Sequence, residues 1–180
     1  MRYASIRELD ISNGSGVGVS LFVQGCEFHC DGCFNTETWD FDGGEEWTDT
    51  IEQELFALIN RPFIKRWSVL GGEPLHNNNI LTVYNLCKKV KETYPDKQIW
   101  LYTGYKFEDI WIPRGSVIPQ NCNPTRDLRN GILKYIDVLV DGQYIHQQRD
   151  ITLAFRGSSN QRLIDVQKTL YYNSIVLFEE

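Results

Sequence analysis

Short, β-branched apolar runs alternate along this chain with stretches of helical periodicity, and that alternation confines the fold to strands and helices taken in turn. Residues 17–24 place Val17, Val19, Leu21 and Val23 on one face of a predicted strand. Thr48 or Asp49 caps a predicted helix in which Ile51, Leu55 and Leu58 recur at helical spacing until Pro62 ends it. A second strand follows at 66–70, then a helix at 79–93 with Ile80, Val83, Tyr84, Cys87 and Val90 along one stripe. Strands are predicted again at 98–103 and 135–140, a helix at 162–170 and a last strand at 174–178, while the Pro-rich stretch 111–124 carries no clear pattern.

Strands separated by helices imply a parallel sheet, and right-handed crossovers bring the loops after the strands to one end. Cys26, Gly71, Thr103 and Asp141 all fall at such strand ends. Four or five βα units are too few to close an eight-stranded barrel. The expected architecture is therefore an open, partial parallel (β/α) barrel formed by a single domain over residues 1–180, its gap turned toward a macromolecular partner.

The chain has 180 residues, 42% of them hydrophobic and 23% charged, which suits one folded domain. A net charge of −6 with scattered Lys and Arg argues against nucleic-acid binding and for a protein or small-molecule partner. No stretch approaches the roughly 20 apolar residues of a membrane span, and the first residues lack an apolar signal segment, so a cytoplasmic location is expected.

Five cysteines, three of them between positions 26 and 33, do not resemble a secreted disulfide framework; such clustering in a reducing compartment points to metal. Cys26, Cys30 and Cys33 have the spacing CxxxCxxC, which lets one loop set three thiolates around one face of a 4Fe-4S cubane and leaves one iron open. Zinc held by the same three cysteines, with His29 or Cys122 as fourth ligand, is the structural alternative. The polar, Gly-rich segment from Cys26 to about Trp47 is long for a βα connection, and a bound cofactor would offset its ordering cost. Cys87 lies on a helical core stripe and Cys122 in a Pro-flanked loop. His29, His76 and His146 show no triad spacing and read as exposed loop residues.

The cysteine motif after the first of these strands, with Gly71-Gly72-Glu73-Pro74 after the second, resembles the radical S-adenosylmethionine superfamily. Within it, Asn13-Gly14-Ser15-Gly16, Leu21 to Cys26, Cys33-Phe34-Asn35 with Thr38-Trp39, Leu101 to Tyr105 and Arg156 to Arg162 are similar to the anaerobic ribonucleotide reductase activating proteins. Relatives usually carry Pro where Ser15 stands and Arg where Gly18 stands.

This resemblance implies that Cys26, Cys30 and Cys33 ligate the cluster and that the open iron takes the amino and carboxylate groups of S-adenosylmethionine. Gly71 and Gly72 would let the backbone approach the methionine amino group, with Glu73 adding a favourable charge; Gly32, Cys33 and Phe34 would lie near the adenine. Thr103 and Asp141 would reach the ribose or the methionine carboxylate, or serve only as cap and turn residues. The implied reaction is reductive cleavage to a 5′-deoxyadenosyl radical that takes a hydrogen atom from a glycine of the reductase large subunit. The electron would come from a donor such as flavodoxin or a thioredoxin-type system. A small-molecule radical enzyme of the deazaguanine synthase kind and a zinc-stabilised interaction module are the competing readings.

Overall fold

A computed structural model describes residues 1–116 and 123–179. Seven strands form one sheet: β1 (Arg2–Asp10), β2 (Gly18–Val23), β3 (Glu45–Glu46), β4 (Arg66–Gly71), β5 (Gln98–Tyr102), β6 (Val138–Asp141) and β7 (Arg162–Asp165). Their spatial order is β3-β1-β2-β4-β5-β6-β7. The four central strands β2, β4, β5 and β6 are parallel. The intervening helices include α1 (Asp49–Ile59), α2 (Ile80–Thr93), the short α3 (Phe107–Ile110) and α4 (Pro124–Ile132), and α5 (Val166–Tyr172) follows β7. None of the described helices is long and apolar enough to cross a membrane.

The sheet is mixed rather than wholly parallel, because β1, β3 and β7 run antiparallel at its edges. β1 needs only residues 11–17 to turn back onto β2, a connection too short for a parallel crossover. The expected helix at 162–170 divides at Asp165, whose carboxylate caps α5 by accepting from the Lys168 N–H at 3.0 Å. The expected last strand reduces to a single bridge between Ile164 and Leu177. The unpatterned stretch ends where α4 begins, with Pro124 in the first turn of that helix and the Asn123 side chain accepting from Thr125 N–H. Cys122 lies outside the described residues.

Strand alternation gives the sheet two different faces. Val19, Leu21, Val23, Trp67, Val69, Ile99 and Leu101 join Leu55, Ile59, Val83, Leu86 and Val90 of the helices in the main core. On the other face Trp100, Val138 and Val140 pack with Phe155 and Phe178. Arg66 is fully buried there, paired with Asp10 at 2.9 Å and donating to Ser68 Oγ at 2.7 Å. Burial works against the Asp10 carboxylate, but the N–H groups of Asn13 and Ser12 together with Arg66 outweigh it and hold the carboxyl below its usual range. This network pins the turn between β1 and β2 against the amino-terminal end of the sheet.

Gly18 is the register partner of Arg66, and a Cβ built there would stand 2.5 Å from the Arg66 guanidinium. The missing side chain at position 18 is what gives Arg66 its place.

Candidate metal centre

Beyond Val23 the chain leaves the sheet through Gln24 and Gly25 into the cysteine loop. The returning limb is tied to its root: Gly25 N–H donates to Thr38 O at 2.8 Å and Cys26 N–H to Trp39 O at 3.0 Å. Within the loop Cys33 N–H donates to Cys30 O at 3.1 Å, and His29 takes a left-handed conformation at φ 44°. Cys26, Cys30 and Cys33 thus sit together on one loop, each half-buried, whereas Cys87 is sealed in the core as its helical stripe predicts. Burial pushes the Cys26 thiol up to about 11, against backbone hydrogen bonds from Phe28 and His29. Burial raises Cys30 as well. Asn35 N–H donates to Cys33 Sγ at 3.4 Å.

The Gly-Gly-Glu-Pro segment lies directly against the root of this loop. Gly71, the last residue of β4, has φ 102°, open to glycine at little cost, and a Cβ on Gly72 would stand 2.5 Å from Gly25 O. The contact is sealed by Gly72 N–H to Val23 O and Glu73 N–H to Gly25 O, both 2.8 Å. Two glycines just past the ends of β2 and β4 therefore meet backbone to backbone where the cysteine loop begins.

Glu73 is 2% exposed, and its carboxylate is engaged by protein groups. Oε1 accepts from Leu75 N–H and Thr103 Oγ1 and Oε2 from Gly104 N–H, each at 2.8 Å. Burial pushes this carboxyl up to about 7, the three donors and the more distant Arg129 pulling the other way. Glu73 and Thr103 thus join the ends of β4 and β5. Asp141 accepts from Phe107 N–H at 2.8 Å and pairs with Arg162, which also holds Glu108. Asp141 so anchors the start of α3 and of β7.

Two amides that the sequence did not single out as site residues fasten the same junction. Gln24 Nε2 donates to Glu37 O at 3.0 Å and Asp40 O at 2.7 Å on the returning limb. Asn79 Nδ2 donates to Gln24 O at 2.9 Å and Glu73 O at 3.0 Å, bridging the two loops from the start of α2. A buried side-chain amide flanking each motif is the only signal that pointed to them.

Gly32 and Phe34 are exposed, and the Phe34 ring tilts against Tyr144 at 5.3 Å. Cys33 and Phe34 border a cavity of about 560 Å³ on the sheet face away from the main core, with Phe22, Leu70, Tyr102 and Arg156 in its wall. His29 and His146 are exposed as expected, but His76 is not. Its Nε2 faces Glu27 at 3.3 Å and its ring lies 4.5 Å from Phe41, so packing buries it.

Residues 12–164 match the family described as a 4Fe-4S single cluster domain. The chain is 38% identical to the anaerobic ribonucleoside-triphosphate reductase-activating protein of Vibrio cholerae serotype O1, over 89% of this chain and 96% of the relative. The protein of the same name from Enterobacteria phage T4 is 38% identical over 91% and 93%, and that of Escherichia coli K12 is 36% identical over 89% and 96%. The chain belongs to this family of reductase-activating proteins.

The donor set suits the family's cluster. Three thiols stand on one loop, and backbone N–H groups aimed at sulfur offset part of the burial that works against the thiolate form a ligand must take. Among the described residues no three Cys, His, Asp or Glu side chains close on one point in the way a single ion requires. In this family member Cys26, Cys30 and Cys33 would hold the cluster, with Gly25 and Gly72 setting the backbone at the root of their loop.

Proposed function

We propose that the chain cleaves S-adenosylmethionine reductively at a 4Fe-4S cluster on Cys26, Cys30 and Cys33, and that the resulting 5′-deoxyadenosyl radical takes a hydrogen atom from a glycine of the anaerobic ribonucleotide reductase large subunit. The observation that carries this reading is the Gly25–Gly72 contact, which brings the three-cysteine loop and the Gly-Gly-Glu-Pro turn together at the strand ends. The cluster supplies the electron chemistry. The protein's own share is to bind, orient and shield.

In this reading Gly71 and Gly72 offer unobstructed backbone to the methionine end of the substrate, and Gly32, Cys33 and Phe34 border its adenine. Thr103 and Glu73 act by fixing that backbone rather than by offering a free charge. The sheet would then be the open, partial (β/α) barrel of radical S-adenosylmethionine proteins, one domain at work in the cytoplasm. Its inner face would be the one bearing Tyr102 and Leu70, and the 560 Å³ cavity there would admit the glycine-bearing segment. Hydrogen-atom abstraction needs no general acid or base, consistent with a cavity wall built mainly of apolar and amide groups.

The test is anaerobic reconstitution followed by reduction and addition of S-adenosylmethionine, with Cys26→Ala, Cys30→Ala and Cys33→Ala alongside. Wild-type protein should bind about four irons and release 5′-deoxyadenosine, and each variant should lose both. A protein that binds zinc, stays colourless and releases none would overturn the reading.

A further inference from the structure

The inner face of the sheet carries two hydrogen-bond donors that the protein itself does not use. Tyr102 Oη and Arg156 Nε are buried atoms without a partner among the described residues, and both side chains belong to the wall of the 560 Å³ cavity. Ser20 Oγ, Arg66 Nε and Trp67 Nε1 are also buried and unpartnered, but none of these residues borders that cavity. A polar group withheld from water with nothing to bond destabilises the fold, and the loss is recovered once a ligand supplies the missing acceptor.

Both groups stay donors where they are. Arg156 gives Nη1 to Gln161 O at 2.9 Å, which fixes the guanidinium and with it the direction of Nε–H. Burial raises the Tyr102 hydroxyl above its usual range, so it keeps its proton, and the charges of Arg66 and Asp10 both act on it. That influence sets the hydroxyl toward the turn between β1 and β2, whose Ser12 and Asn13 also line the cavity. Cys33 and Phe34 border the cavity from the carboxyl end of β2, so it runs along the sheet from the cysteine loop to that turn.

We propose that Tyr102 and Arg156 bind the main chain of the glycine-bearing segment, each donating to one of its backbone carbonyls close to the glycine. The inference rests on the proposed function and names how its polypeptide substrate is held. Each peptide unit drawn into a space shielded from water brings a carbonyl that must find a donor. Phe22, Leu70 and Phe155 in the same wall offer none. Glycine has no side chain to hold its flanking carbonyls off the wall, so two fixed donors seat it closely and set where its Cα–H bond lies. S-adenosylmethionine is the other possible acceptor, but the proposed function holds it at the strand ends, and the Tyr102 hydroxyl is turned the other way.

The test compares reconstituted wild type, Tyr102→Phe and Arg156→Lys, each given dithionite, S-adenosylmethionine and the anaerobic reductase. Glycyl radical is counted by electron paramagnetic resonance and 5′-deoxyadenosine by chromatography. In Tyr102→Phe the reductase concentration for half-maximal radical formation should rise by about three- to tenfold, the worth of one hydrogen bond, and less radical should form per 5′-deoxyadenosine. Arg156→Lys keeps the charge, loses Nε–H and should shift the same two quantities in the same direction. Urea unfolding of the iron-free protein adds a readout that a structural role would move the other way. Tyr102→Phe removes a hydroxyl with no partner, so its midpoint should equal or exceed that of wild type. A lower midpoint would place the hydroxyl in a bond within the free protein and overturn the proposal, as would an unchanged reductase requirement in Tyr102→Phe. It would equally fall if only the S-adenosylmethionine requirement rose, since the donors would then serve the cosubstrate. Failure of wild type to form 5′-deoxyadenosine would instead fault the function and carry this proposal with it.

Discussion

Glu73→Gln should alter how stability depends on pH, because the Glu73 carboxyl titrates near 7 in the fold against 4.5 in an open chain. Below pH 4.5 it is protonated in both states, and its contribution to folding is fully present. Between 4.5 and 7 the unfolded chain ionises while the folded one holds its proton, so stability drains away as pH rises. Above pH 7 the loss is complete, at about 3 kcal/mol for a fully buried group. Glutamine cannot ionise, and its amide turns a donor toward Gly104 N–H where a carboxylate oxygen accepted, a pH-independent cost of about 1–3 kcal/mol. Urea unfolding of the iron-free, reduced protein at pH 5 to 8, followed by tryptophan fluorescence, reads both effects, and taking wild type minus variant cancels every other titrating group. That difference should fall by about 2–3 kcal/mol from pH 5 to pH 8. A difference constant to within about 0.5 kcal/mol would refute the reasoning, showing that the three donors hold Glu73 ionised throughout.

Two further perturbations probe the scaffold. Asn79→Ala deprives the buried Gln24 carbonyl of its side-chain donor and weakens the tie to Glu73 O, so the urea midpoint should drop by the equivalent of about 2–4 kcal/mol; an unchanged midpoint would contradict the bridge. Gly18→Arg drives a second guanidinium into the space of Arg66 and should destabilise by about 3–5 kcal/mol, whereas Gly18→Arg/Arg66→Ser should regain more than half of that in a thermal melt.

The parts of the fold that could be read from the chain are those in which one local pattern dominates. β2, β4 and β5 are short runs rich in apolar residues, and α1 and α2 carry clean stripes, so their places follow from the apolar pattern. β1 escaped because Arg7 and Glu8 interrupt any apolar alternation; its pairing is decided by the turn that Asp10 builds with Ser12, Asn13 and Arg66. β7 looked helical because its four residues merge with α5, and only the capping geometry of Asp165 separates them. The cysteines, the two glycines, Thr103 and Asp141 were all legible as strand-end residues. What a side chain faces was less so. Glu73 read as a free charge and proved to be a brace, His76 read as exposed and is packed under Phe41, and Gln24 and Asn79 act through contacts that span 6 to 55 residues of sequence.

The contact between Gly25 and Gly72 also imposes an order in time. The three cysteines precede their supports along the chain: their loop is seated by Gly72, Glu73 and Asn79, and Glu73 is in turn fastened by Thr103 and Gly104. A nascent chain that stops short of residue 104 exposes three thiols with no floor beneath them. The cysteine loop thereby gains its seat only once the chain has been synthesised past residue 104 and has folded, and a product cut short before that point lacks the support on which a metal centre would depend.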